Sequence, residues 1–127
     1  MLAPGELITA FDIPLSGWAR RSLYLKIRDR ESYEFALASA AVALDLDRGR
    51  VREARIALGG VATRPWRAKD AESALQGQTI DDASTKAAAD AAFAQAAPRQ
   101  HNAFKVELGK QTLMRALRQA AALEIPA

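Results

Sequence analysis

Two apolar runs joined by a glycine-containing turn form the clearest pattern in the chain, within "SYEFALASAAVALDLDRGRVREARIALGGV". The first run, 35–46, is apolar on both faces, which fits a central strand, although its alanines would also suit a helix. The second run, 51–58, alternates apolar and charged side chains, as a strand with one buried face does. Between them, Gly49 can take the left-handed conformation that a three-residue turn at 47–49 needs. The turn decides between strand and helix, and we predict an antiparallel hairpin.

Another alternating stretch, "GELITAFDIP", occupies positions 5–14. In an extended backbone its apolar side chains share one face, and Pro14 ends the run. The residues on that face are Leu7, Thr9, Phe11 and Ile13. We predict a strand here, followed by a loop in "LSGWARRS", where periodicity is weak.

Helical patterns fill the second half of the chain. A short helix is predicted at 67–76, an alanine-rich helix at 80–97 and an amphipathic helix at 102–123. Thr79 starts a capping-box-like sequence before the second helix, and Asn102 is a suitable N-cap for the third. Strands come first and helices after. This order favours an α+β fold, with helices packed on one side of a mainly antiparallel sheet of three to four strands.

Composition narrows the possible functions. The 127 residues indicate a single domain, 1–127, and the lack of cysteine excludes disulfides, thiol catalysis and iron–sulfur ligation by this chain. No apolar stretch approaches the roughly 20 residues that cross a bilayer, and no signal peptide is visible. The net charge is +3, but basic and acidic residues are interspersed and aromatic residues are few, unlike the clustered basic faces of nucleic-acid binders. We therefore expect neither a membrane nor nucleic acid as a partner.

The glycine pair in "IALGGVATRPWRAKD" raises the question of whether this chain binds a phosphate. Phosphate loops place several glycines directly before a helix N-terminus, so that backbone N–H groups converge on the anion. Gly59 and Gly60 are adjacent, lie well before the next predicted helix and match neither phosphate-binding motif. We interpret them as a strand end where two backbones approach closely, with Arg64 and Arg67 available to an acidic partner at this corner.

The polar residues predict no catalytic or metal site. His101 is the only histidine, and no cysteine accompanies it as a metal ligand. No nucleophile-elbow pattern occurs. Asp45 and Asp47 lie beside the predicted hairpin tip, where exposure to solvent does not favour acid–base catalysis.

The densest charged stretch is "LYLKIRDRESYEF". Lys26, Arg28 and Arg30 alternate with a period of two, so in an extended backbone they share one face. Such a strip can hold an anion or the acidic edge of a partner. It is also the ordinary charge that keeps a solvated edge strand soluble.

Four stretches, in order, resemble one family across nearly the whole chain. They are "GELITAFDIP", "YLKIRDRESYEFALASAAVAL", "ARIALGGVATRPWRAKDAESALQG" and "NAFKVELGKQTLMRAL". Together they are similar to the C-terminal domain of the FAD-binding (medium) subunit of the molybdenum hydroxylases, the xanthine dehydrogenase and carbon monoxide dehydrogenase flavoprotein group. The stretch "HNAFKVELGK" looks most like the bacterial aldehyde oxidoreductase branch, because many other members have an Ala-Glu-Tyr-Arg type of sequence there.

The resemblance implies a part of an oxidoreductase that has no complete active site of its own. In that family electrons pass from a molybdopterin centre in a large subunit, through iron–sulfur clusters in a small subunit, to FAD in the medium subunit. The Gly-rich FAD loops lie in two upstream domains that this sequence lacks, so we do not expect tight FAD binding by this chain alone. Lys26 matches a lysine that lies near the flavin in some relatives, and it is the one cofactor-binding residue that the resemblance predicts.

The resemblance also implies the partners. They are the upstream FAD-binding domains, the molybdopterin-binding large subunit and the iron–sulfur small subunit. A cytoplasmic location is expected, or a periplasmic one within an exported complex. A second interpretation remains open, namely a free-standing interaction module that kept this fold and lost its flavin function.

Overall fold

The computed structural model describes residues 2–14 and 16–124, and its centre is one antiparallel sheet. The four strands are β1 (Ser22–Ile27), β2 (Ala38–Asp47), β3 (Arg50–Gly59) and the two-residue β4 (Trp66–Arg67). They lie side by side in the order in which they occur along the chain, and each neighbouring pair is antiparallel.

Three helices pack on one face of this sheet. They are α1 (Lys69–Leu75), α2 (Asp82–Ala92) and α3 (Phe104–Ala121). The core lies between helices and sheet, and its largest fully buried apolar side chains are Leu44, Val51, Ile56, Leu58, Leu75, Leu113 and Leu117. The predicted α+β class is therefore confirmed. None of the helices in the described ranges has the length and apolar character of a membrane span.

The β2–β3 hairpin is confirmed, but its turn is tighter than predicted and β2 begins at Ala38, so the predicted strand start at Phe35 is wrong. Asp47 pairs directly with Arg50, which leaves Arg48 and Gly49 as a two-residue loop. Both have positive φ, 48° and 78°, as a type I′ turn requires. Buried and exposed positions alternate along β3, interrupted by one register irregularity opposite Asp45.

The stretch before β1 differs from the sequence prediction. The predicted strand at 5–14 is wrong, because these residues are exposed and pair with no strand in the described part of the chain. The predicted loop contains a 3₁₀ helix at Gly17–Arg21, and Leu15 of that loop falls outside the described residues. The Arg21 guanidinium donates a hydrogen bond to the Ala121 carbonyl at 2.9 Å. This contact holds the 3₁₀ helix against the end of α3.

The alanine-rich helix α2 is shorter than predicted at both ends. Its N-cap is Asp81, whose carboxylate accepts the Ser84 N–H at 2.8 Å, so the capping box predicted from Thr79 is misplaced. Thr79 instead donates its hydroxyl to the Asp81 carboxylate. The helix stops before Phe93, whose ring lies against Gly109 of α3. Tertiary packing therefore ends a helix that alanine propensity alone would continue.

The ends of the other two helices, α1 and α3, also differ from the sequence prediction. Arg67 pairs in β4 and does not begin α1. The predicted N-cap Asn102 is wrong, since α3 follows Ala103 and has no side-chain cap. The Asn102 amide oxygen instead accepts the Arg99 N–H at 2.5 Å, within the turn before the helix.

Candidate functional site

Lys26 lies on the sheet face that the helices leave uncovered. In β1 the side chains of Leu23 and Leu25 pack against the core, so Tyr24 and Lys26 point the other way. Tyr24 is in register with Ala41 of β2. We call this surface, formed by Tyr24, Lys26, Ala41 and Ala57, the open face.

The Lys26 ammonium is directed into the chain that follows β1. It is half-buried, and Nζ donates a hydrogen bond to the Glu34 carbonyl. Within the described residues this bond uses one of the three Nζ hydrogens. Lys26 can therefore brace the loop and still donate to another acceptor.

The loop at 28–37 is braced by its own side chains. The Leu37 N–H bonds to the Ile27 carbonyl at 2.8 Å and closes its base. Within it, Arg30 donates to the Tyr33 carbonyl at 2.5 Å, and its Nε lies 3.0 Å from the Glu34 carboxylate. This turn holds Tyr33 at a φ of 54°, a conformation that bulky residues rarely adopt.

The same loop presents aromatic rings to solvent. Tyr33 is 96% exposed and Phe35 is 92% exposed. Two large exposed rings on a braced turn are a surface suited to contact with another group. The sequence showed both aromatics, but only the structure shows that neither enters the core.

The predicted strip of cations is only partly formed. Lys26 is in β1, but the strand ends at Ile27, and Arg28 and Arg30 lie in the 28–37 loop. The three side chains therefore do not follow one extended backbone. The Arg30 guanidinium is occupied by contacts inside the loop.

The glycine pair is a close backbone approach, as predicted, and its lining does not suit a phosphate. A Cβ on Gly59 would overlap the Ser39 hydroxyl, and one on Gly60 would lie 2.9 Å from the Ala36 carbonyl oxygen. Carbonyl oxygens repel an anion, whereas a phosphate loop offers N–H groups. Gly60 has a φ of 73°, so the chain leaves β3 there in the left-handed conformation.

Lys105 clamps this corner from α3, a role that sequence patterns did not reveal. Its Nζ lies 3.0 Å from both the Leu37 and the Gly60 carbonyl oxygens. One ammonium thus ties the base of the 28–37 loop to the end of β3. Lys105 also borders a pocket of about 160 Å³ that includes Trp66 and Phe93 in its lining.

The two arginines beyond the glycine corner differ. Arg67 meets an acidic partner within the chain, since both Glu72 carboxylate oxygens accept from its guanidinium, one of them at 3.1 Å. This hydrogen bonding raises the pKa of Arg67 above its ordinary value. Glu72 also accepts the Ile56 N–H at 2.7 Å. Arg64 is exposed.

The remaining candidates are not brought together. Arg52 forms a two-nitrogen ion pair with the Asp45 carboxylate, Asp47 is exposed at the turn, and His101 is exposed before α3. Among residues 2–14 and 16–124, no three His, Cys, Asp or Glu side chains are grouped to bind a metal ion.

Comparison with known families identifies the fold. The family described as the CO dehydrogenase flavoprotein C-terminal domain matches residues 23–120, which include the whole sheet except Ser22 and all of α3 except Ala121. The chain belongs to this family. Both Lys26 and Lys105 lie within the matched region of the flavoprotein C-terminal domain.

Curated relatives of this flavoprotein domain are much longer than the chain. The Escherichia coli aldehyde oxidoreductase FAD-binding subunit PaoB is 43% identical over 124 residues, which are 95% of this chain and 35% of the relative. The medium chain of carbon monoxide dehydrogenase from Afipia carboxidovorans is 32% identical over 125 residues, 95% of this chain and 43% of the relative. The chain therefore spans less than half of either relative.

Solved structures show the same domain. Quinoline 2-oxidoreductase from Pseudomonas putida 86 matches with a TM-score of 0.74 and 30% identity, covering 80% of this chain and 36% of that one. A carbon monoxide dehydrogenase from Hydrogenophaga pseudoflava matches with a TM-score of 0.73 and 35% identity, at the same coverage of both chains. The four-stranded sheet with helices on one face is therefore the family's fold.

Proposed function

We propose that this chain is the C-terminal domain of an FAD-binding subunit in a molybdenum-dependent oxidoreductase. The observation that carries the proposal is the 43% identity over 95% of the chain to an aldehyde oxidoreductase FAD-binding subunit. That relative is nearly three times as long as this chain, so most of the FAD-binding surface belongs to the remainder of the subunit. The domain contributes one wall beside the flavin.

The partners of such a subunit follow from the family. One relative is named a medium chain of carbon monoxide dehydrogenase, and another a medium subunit of nicotine 6-hydroxylase. We assign to the complete enzyme a molybdopterin-binding large subunit and an iron–sulfur small subunit, with electrons reaching FAD last. A cytoplasmic location, or a periplasmic one in an exported complex, fits this role.

The residues of the open face fit a flavin. Tyr24, Ala41 and Ala57 occupy one row across three strands, with a groove of about 370 Å³ beside them. Small alanines leave room for a flat ring. Lys26 lies outside the lining of the groove, two residues beyond Tyr24 on the same face of β1 and on the side of the 28–37 loop. FAD, when bound, supplies the capacity to accept electron pairs.

Lys26 is the residue to which we assign a direct effect on the flavin. Its ammonium is held by the Glu34 carbonyl and keeps further N–H donors for an acceptor atom. A fixed positive charge stabilises the negative charge that the flavin gains on reduction more than it stabilises the neutral oxidised form. Lys26 therefore raises the reduction potential of the flavin.

Redox titration of the full-length subunit tests this assignment. We expect Lys26→Met to lower the flavin potential by about 30 mV, equivalent to roughly 1.4 kcal/mol for two electrons. Lys26→Arg keeps the charge and should retain most of the wild-type potential. Arg28→Met, two residues away in the exposed loop, is the matched control and should leave the potential unchanged. Equal shifts in Lys26→Met and Arg28→Met would show that Lys26 has no special position.

Titration calorimetry of the 127-residue chain with FAD tests the share of binding that this domain carries. The pyrophosphate holds most of the cofactor's charge, and the one glycine corner of this sheet is lined by carbonyl oxygens. We expect no saturation at micromolar FAD. A site with a Kd near 1 μM, about −8 kcal/mol, would mean that this domain holds the cofactor itself.

A further inference from the structure

The Lys105 ammonium joins two backbone segments that are distant in sequence. Its Nζ donates a hydrogen bond to the Leu37 carbonyl and another to the Gly60 carbonyl, each at 3.0 Å. The side chain is half-buried, and none of the ion pairs among the described residues involves it. Lys110, further along α3, is different, because its Nζ pairs with the Asp90 carboxylate at 2.6 Å. Lys105 therefore holds backbone, whereas Lys110 balances an acidic side chain.

The two carbonyls meet at a tightly packed junction. A Cβ on Gly60 would lie 2.9 Å from the Ala36 carbonyl oxygen and 3.0 Å from that of Leu37. The Leu37 N–H bonds to the Ile27 carbonyl at 2.8 Å, so the same residue closes the 28–37 loop and is held by Lys105. A charged donor is a stronger partner for a carbonyl oxygen than a neutral one. Lys105 thus fixes the base of this loop against the end of β3.

The 28–37 loop connects this junction to Lys26. The Lys26 ammonium donates to the Glu34 carbonyl, three residues before Leu37 in the same loop. A shift of the loop base therefore moves the acceptor that orients Lys26. Lys105 belongs to a helix on the covered side of the sheet, whereas Lys26 points to the open face. An effect of Lys105 on the open face has to pass through the loop.

We propose that Lys105 is a positioning residue for the flavin site. By holding the Leu37 and Gly60 carbonyls it fixes the 28–37 loop, and through the Glu34 carbonyl it fixes the direction of the Lys26 ammonium. A charged group acts on a cofactor in proportion to how firmly its supporting contacts hold it. The inference rests on the proposed function, because it assigns to Lys105 an indirect effect on the same flavin.

Amide hydrogen exchange in the 127-residue chain tests the contact with the loop, without any cofactor. In Lys105→Met the amides of 34–37 should exchange about 10-fold faster than in wild type, because two carbonyls lose their donor. Lys110→Met removes the same charge from the same helix and should leave these amides at the wild-type rate. Lys105→Arg retains charged donors and should restore most of the protection. Unchanged exchange in Lys105→Met, or equal acceleration in Lys110→Met, would overturn the proposal.

Redox titration of the full-length subunit tests the effect on the flavin. Lys105→Met should lower the flavin potential by less than Lys26→Met does, and Lys105→Arg should retain most of the wild-type potential. Combining Lys105→Met with Lys26→Met should add no further shift, because Lys105 acts only through Lys26. Additive shifts would overturn the proposal in favour of a direct effect of the Lys105 charge. If Lys105→Met does not fold, Lys105→Gln, with its shorter and uncharged side chain, takes its place with the same expectations.

The variants also separate this inference from the proposed function. If the full-length subunit takes up no FAD, or if Lys26→Met leaves the flavin potential unchanged, the proposed function or its assignment of Lys26 is refuted, and the role of Lys105 is refuted with it. If Lys26→Met shifts the potential and Lys105→Met does not, only the inference about Lys105 is refuted.

Discussion

Strand β3 and the N-terminal segment, residues 5–14, carry the same kind of pattern and have opposite surroundings. Along most of both, large apolar side chains recur with a period of two, at Phe11 and Ile13 in the segment and at Ile56 and Leu58 in β3. In β3 these side chains are buried between sheet and helices, whereas in the segment they face solvent. Alternation therefore specifies which side chains share a face. Whether the face is buried depends on a partner, and only β3 has its partner within the described chain.

Matched isoleucines give the largest expected contrast between these regions. Ile56 in β3 is 1% exposed and Ile13 in the segment is 77% exposed. Ile56→Ala should lower the free energy of unfolding of this chain by about 2–5 kcal/mol, because it removes buried methyl groups and leaves a cavity. Ile13→Ala should change it by less than about 0.5 kcal/mol. Urea denaturation measures both, and similar losses would show that the segment packs on the chain after all.

The glycines just beyond the two ends of β3, Gly49 and Gly60, allow a second comparison, between an open turn and a tightly packed corner. Gly49 and Gly60 both have positive φ, so alanine is strained at either place. Nothing lies within 4 Å of a Cβ on Gly49, whereas a Cβ on Gly60 would meet two carbonyl oxygens. We expect Gly49→Ala to lower the free energy of unfolding by about 1 kcal/mol and Gly60→Ala to lower it by about 2–3 kcal/mol.

Thermal unfolding of the two glycine variants is the measurement. We expect Gly60→Ala to lower the Tm more than Gly49→Ala does. At Gly60 the added Cβ clashes with carbonyl oxygens as well as being strained by the left-handed conformation. A larger loss at Gly49 would mean that the turn, and not the corner beside the loop, is the tightly packed end of β3.

The smallest expected effect is electrostatic and concerns the pH dependence of stability. Here the comparison is between Asp90 in α2 and Asp12 in the segment. Lys110 and Lys86 lie 2.6 and 2.7 Å from the Asp90 carboxylate and lower its pKa to about 2. The pKa of Asp90 is lower in the folded state than in the unfolded state, so its ionised carboxylate stabilises the fold at pH values above the ordinary aspartate pKa. This stabilisation is lost as the pH falls towards 2. The effect is modest because the pairs are exposed.

Melting curves at several pH values test this linkage. Asp90→Asn should lower the Tm slightly at pH 6, and the difference from wild type should shrink between pH 4 and pH 2. Asp12→Asn, at an exposed position of the segment, is the control substitution and should leave the Tm at pH 6 close to that of wild type. A constant difference for Asp90→Asn over this range would exclude the ion pairs as its cause.

Local signals predicted much of the fold. The β2–β3 hairpin follows from two apolar runs around Gly49, since the turn and the strands are neighbours in sequence. Helix ends were less predictable because they depend on contacts elsewhere. Alanine propensity carries α2 to 97, but Phe93 turns to meet Gly109 of α3. The predicted N-terminal strand failed because no strand within the described chain pairs with it.

In the candidate site too, features set by neighbouring residues were predicted and a contact between distant residues was not. The period-two charges around Lys26 indicated an extended backbone, which holds for Lys26 in β1 but not for Arg28 and Arg30. The glycine pair was correctly interpreted as a close backbone approach. Lys105 escaped prediction because its acceptors, Leu37 and Gly60, are 68 and 45 residues away in sequence. No periodicity within α3 signals a contact of that kind. The position of Lys26 relative to a flavin stays a prediction.

The sheet's strand order has a consequence for how the chain folds. Strands β1 to β4 are neighbours in both sequence and space. The sheet can therefore form outwards from the hairpin through short loop closures, each with a small entropic cost. Helix α3 is different, since Leu113 and Leu117 reach the core only after most of the polypeptide has left the ribosome. A nascent chain therefore carries a formed but half-uncovered sheet until α3 docks. In that interval the apolar face of the sheet is most open to aggregation.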